Sequence, residues 1–213
     1  MFSFNKKQYL HLLKKNLHMK KLIFCTVIIS FLSSEPLMVE AQSKDESAMM
    51  DVWMKYMTPG DFHKMLAKSE GKWNEEATFW MAPGAPPTTS NMSCENKMIL
   101  GGRYQQSNHS GTVNEMPFEG MGTVGYDNAK KVFISTWIDN MGTGVMYMEG
   151  KYSAVKRNIV FRGKAVDPMT GMSNPVREVF TIVDDNTQTI TMFNTVKGKE
   201  FKSMEIQLKR VVR

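Results

Sequence analysis

Cysteine is almost absent, with only Cys25 and Cys94 in 213 residues. Two thiols exclude a disulfide framework and a cysteine-built zinc site. Histidine is also scarce, with four in the chain. The apolar run Leu22–Leu32 has 11 residues, short of the roughly 20 a spanning helix needs. A basic stripe is missing too. The net charge is +6, but residues 1–41 hold six lysines against Glu35 and Glu40, which leaves +4 there. The remaining 21 basic and 19 acidic residues leave +2, which gives no support to nucleic-acid binding. What is present is ordinary for a globular chain of one domain or two: 42% hydrophobic and 23% charged residues. That length buries a core without covalent staples.

The N-terminus reads as an export signal. Met19-Lys20-Lys21 is a positive start, Leu22–Leu32 an apolar middle, and Val39-Glu40-Ala41 places small residues at −3 and −1 of a cleavable bond. Cleavage is expected before Gln42, with Ser33-Ser34 marking an earlier alternative, and Met19 reads as the initiator after an over-long start. The chain therefore divides into a signal segment (1–41), an arm or helix (42–57) and a folded domain (58–213), exported to the periplasm or beyond. Phe24 before Cys25 is too large for a lipoprotein signal. Cys94 is then the thiol of the processed chain, and with no base beside it in sequence it reads as a buried apolar residue.

Thr58-Pro59-Gly60-Asp61 is a helix-start signal, and Phe62, Met65 and Leu66 follow with helical spacing. From Lys72 onward the period becomes two. Strands are predicted over Trp73–Met81, Cys94–Gln106, Phe118–Tyr126, Lys131–Asp139, Val145–Tyr152, Ile159–Val166, Val176–Val183, Thr189–Val196 and Phe201–Val211. Gly101-Gly102 permits a bulge or bend inside the second of these. About nine sequential strands on short links are antiparallel neighbours, and closing the meander removes both edges. An all-β, up-and-down barrel with a short N-terminal helix follows. Phe133, Ser135, Trp137 and Asp139 share one face of their strand and Val132, Ile134, Thr136 and Ile138 the other. Alternation does not say which face is inside. The outer one, if apolar, requires cover from the N-terminal helix or a second copy of the chain.

Gly71-Lys72-Trp73 after a short helix, the loop Ala82–Pro87, Gly101-Gly102-Arg103-Tyr104, the stretch Pro117–Asn128 and the stretch Ser135–Gly144 together resemble the bacterial family catalogued as domain of unknown function 1579. The resemblance covers about 58–213. It implies a calycin-like, lipocalin-like barrel, often exported, and no known activity.

Candidate site residues follow from chemistry. Arg103, placed in a half-buried strand, is suited to hold a carboxylate headgroup of an amphipathic ligand. Tyr126, Trp137 and Tyr147, with strand methionines, are suited to a pocket wall. Asp139 and Glu178 are carboxylates in comparable positions, and either one beside Tyr126 or Tyr147 would make an acid–base pair. The glycines 120, 122 and 125 lack the helix a phosphate loop requires, and read as relief of crowding. His63 and His109 have no second ligand nearby in sequence, so neither haem nor another metal or cofactor is expected. The expected function is binding of a small apolar or amphipathic molecule, with an enzyme on such a molecule or a filled barrel as alternatives. No nucleic-acid partner and no membrane span are expected after processing; a homo-oligomer is one candidate assembly.

Overall fold

The computed structural model describes residues 37–212. The expected signal segment, with Cys25, lies outside the described residues apart from positions 37–41. The chain divides into a unit ending at Glu46 and a second, Ser47–Arg213, which holds the barrel. Helix α1 is Leu37–Met57 and helix α2 is Asp61–Ala67. Among the described residues, no helix is long and apolar enough to cross a membrane.

Ten strands follow: β1 Gly71–Phe79, β2 Thr88–Ile99, β3 Tyr104–Val113, β4 Met116–Asp127, β5 Val132–Asp139, β6 Met146–Ser153, β7 Asn158–Val166, β8 Ser173–Ile182, β9 Thr187–Val196 and β10 Lys199–Arg210. Each pairs antiparallel with the next, and β10 returns to β1 to close the barrel. Ten replaces the expected nine because Cys94–Gln106 is not one strand. The chain turns at Leu100, Gly101 and Gly102, all at positive φ, a conformation the two glycines adopt without strain. Closure leaves no unpaired edge to recruit a neighbouring chain.

The inner face of β5 is the one bearing Phe133 and Ser135, both buried. Trp137 is on that face and lies across Gly120 and Gly122 of β4. A Cβ at Gly120 would sit 2.5 Å from the indole, so glycine there makes room for the ring.

Helix α2 plugs one end of the barrel rather than covering its outer face. Gly60 is its N-cap, and the backbone N–H of Gly60 donates to His63 Nδ1 at 3.0 Å. Leu66 joins the inner cluster of Phe133, Met148, Ile159, Phe161 and Val176, while Phe62 packs on Tyr126 at 4.5 Å and Phe133 at 5.2 Å. Helices end with carbonyls lacking partners, and here the barrel supplies them. Gln105 Nε2 donates to Leu66 O (2.7 Å), Trp73 Nε1 and Asn96 Nδ2 donate to Ser69 O (3.0 and 3.2 Å), and Gln188 Nε2 donates to Ser69 Oγ (2.7 Å). Arg210 donates to the carbonyls of Lys68 (2.6 Å) and Glu70 (2.5 Å) while lying 4.3 Å over the Trp73 ring. Buried amides that would weaken an ordinary core are thus spent on holding the plug.

Candidate functional site

Beneath the plug is a cavity of about 70 Å³. It has room for a handful of waters at the roughly 10–15 Å³ each requires, and falls short of the roughly 300 Å³ of a drug-sized pocket. Leu66, Val124, Ile159, Phe161, Phe180 and Leu208 are its apolar lining. Asn96, Gln105, Gln188, His109 and Glu178 are its polar lining, with neither arginine nor lysine among the described residues, and Glu178 pairs with Phe161 across β7 and β8.

The amide orientations set the chemistry. A backbone carbonyl accepts only, so Asn96 and Gln105 must turn their N–H groups toward Ser69 O and Leu66 O. Their carbonyl oxygens are left for other partners, and that of Asn96 already accepts from Cys94 Sγ at 3.2 Å. The polar lining is therefore rich in acceptors. Glu178 adds a carboxyl. Among the described residues no protein donor reaches it, and burial pushes its pKa up to about 7. Loss of hydration raises a carboxylate in this way when no cation offsets it.

A second group was not visible in the sequence. Cys94 and His109 are directly opposed across β2 and β3. Glu75 is on β1, two positions beyond Trp73, which pairs with Cys94. His109 Nδ1 lies 3.0 Å from Glu75 Oε2, and its Nε2 lies 3.7 Å from Cys94 Sγ. All three are buried: Glu75 at 2%, Cys94 at 2% and His109 at 7% exposure. Glu75 Oε1 is buried with no hydrogen-bond partner. Burial first, then the charges of Glu75 and Glu95, pushes the Cys94 thiol well above the usual thiol range. Trp137 meets the His109 ring edge-on at 5.0 Å. The expectations that Cys94 has no base beside it and His109 no neighbouring ligand are thereby corrected. The one signal in sequence was Glu75 itself, a carboxylate between Trp73 and Ala77 in the inward period of β1.

The residues expected from sequence are dispersed. Arg103 is not in a strand: it is exposed in the turn before β3, where its Nη1 donates to Leu100 O at 3.0 Å. It cannot hold a headgroup inside the barrel. Tyr126 faces inward but stacks among Phe62 and Phe133 at the plug. Trp137 faces inward and its Nε1 donates to Asp139 Oδ2 at 2.7 Å. Asp139 also accepts from the Met141 N–H at 2.9 Å, near the other mouth. Tyr147 points outward at 47% exposure and donates to Glu149 Oε1. No hydrogen bond among the described residues joins Tyr126 or Tyr147 to Asp139 or Glu178, so the expected acid–base pair is not assembled. Of the six, only Glu178 lines the cavity.

The family described as "Protein of unknown function (DUF1579)" matches residues 58–210. The chain belongs to this family. No curated protein matches the sequence. The DUF1579 barrel is similar to the crystal structure of Rv2717c from M. tuberculosis, with a TM-score of 0.56 and 12% identity over 73% of this chain and 100% of that one. At that identity the likeness is one of fold, and fold alone does not carry an activity.

Proposed function

We propose that this DUF1579 barrel binds a small amphipathic molecule whose polar end donates hydrogen bonds, such as a short primary amine. Glu178 carries the reading: a carboxyl lining a cavity, with burial its perturbation and no protein donor to satisfy it among the described residues. An ammonium group would supply the missing charge and donors, and a short alkyl chain would rest on Ile159, Phe161 and Phe180. A fatty acid does not suit the site, because the lining holds no cation for its carboxylate. The N-terminal segment supports action outside the cytoplasm, which N-terminal sequencing of exported protein would test.

Thermal unfolding with short alkylamines at pH 8 tests the reading. A bound ligand stabilises by about 2.7 kcal/mol at 100 times its Kd, so wild-type Tm should rise with amine concentration while Glu178→Gln stays flat. An equal response in both, or none in wild type, would remove the assignment.

A further inference from the structure

We propose that Cys94, His109 and Glu75 form a binding site for a soft or borderline transition-metal ion of the zinc type, set in the cavity wall and independent of the amine reading. Three adjacent strands place thiol, imidazole and carboxylate on one inner face, with one potential ligand atom from each within 4.8 Å of the other two. A zinc ion about 2.3 Å from sulfur and about 2.0 Å from nitrogen holds those atoms about 3.5 Å apart at a tetrahedral angle. Cys94 Sγ and His109 Nε2 are already 3.7 Å apart.

The second observation is independent of that spacing. Glu75 Oε1 is fully buried and has no donor, although its side chain is at 0% exposure. A buried carboxylate oxygen without a partner is costly; Glu75 Oε2 stands at Nδ1, the ring nitrogen turned away from Cys94, so a cation on Nε2 offsets its charge through the imidazole that Glu75 orients. Charge balances as well: a divalent ion with one thiolate and one carboxylate gives a neutral set, the Cys94 proton leaving to solvent on binding. Thiolate and imidazole select zinc or copper over magnesium or calcium. Cys94 and His109 both line the cavity, so the remaining coordination positions open into it, the arrangement of a metal that can take water or a small ligand.

Cobalt(II) titration of the full chain tests this. One equivalent should produce the near-ultraviolet thiolate-to-cobalt band with visible bands of tetrahedral intensity, and zinc should bleach both. Cys94→Ser should lose the thiolate band, while Cys25→Ser, changed outside the described residues, should retain it. Glu75→Gln should weaken cobalt binding by at least about 10-fold, with far-ultraviolet circular dichroism confirming that each variant is folded. A folded wild type that gives no thiolate band overturns the site. So does a band that survives in Cys94→Ser or disappears in Cys25→Ser.

Discussion

Trp73→Ala should destabilise the barrel by about 3–5 kcal/mol, the range for removing a large buried aromatic side chain. Trp73 is wholly buried among Ala77, Met92, Cys94, Ile206 and Leu208. Its indole also does two things for the plug. Nε1 donates to Ser69 O, and the ring is the platform under Arg210, whose guanidinium holds the carbonyls of Lys68 and Glu70. Alanine removes the packing, the bond and the platform together. Trp73→Phe keeps a ring and leaves Asn96 on Ser69 O, so its cost should be nearer 1–2 kcal/mol. Urea denaturation at pH 7 measures both. A loss under 1 kcal/mol for Trp73→Ala would show that α2 is not anchored through this residue.

Glu178→Gln should stabilise the protein at alkaline pH and flatten part of its pH profile. The folded-state pKa of about 7 lies above the ordinary 4.5, so the folded chain holds this proton more tightly than the unfolded one. Stability from that proton is complete below pH 4.5 and is lost as pH rises through about 7. At pH 8 the half-buried, desolvated carboxylate costs up to about 3 kcal/mol at 1.36 kcal/mol per pKa unit, less where cavity water screens it, and glutamine removes that cost. His63 has the opposite sign. Burial, the largest cause, lowers its pKa below 6.5, with the charge of Arg103 adding to it and a bond to the Tyr126 backbone opposing it. Its contribution is present above pH 6.5 and lost as pH falls through the lowered folded value. Wild type should therefore lose stability at both ends of the range from 4.5 to 8, and Glu178→Gln only at the acid end. Denaturation midpoints across that range read the difference; superimposable profiles would count against the Glu178 account.

The barrel was legible because its strands alternate and its links are short. Trp73, Glu75 and Ala77 against Lys72, Asn74 and Glu76 is a period that the structure reproduces as buried against exposed. Asp127-Asn128 is turn chemistry by residue type, and Asp127 Oδ1 accepts from the N–H groups of Ala129 and Lys130. The missed turn at Leu100–Arg103 hid behind an apolar Leu100, which holds a positive φ that leucine rarely adopts. That error carried Arg103 into a strand and into the expected site. The interior groups were harder. Glu75, Cys94 and His109 are 19 and 15 positions apart and meet only through strand register, which one chain's alternation does not determine. Nor did the period of β6 reveal that Tyr147 faces solvent while Met146 and Met148 pack toward the core.

A carbon-13 NMR titration of the Glu178 side chain reads directly whether this cavity-lining carboxyl is left without a donor. The midpoint should lie near 7 in the protein alone and move down when a short alkylamine is added, because a bound ammonium favours the charged form. A midpoint near 4.5 that ignores the amine would contradict the Glu178 assignment.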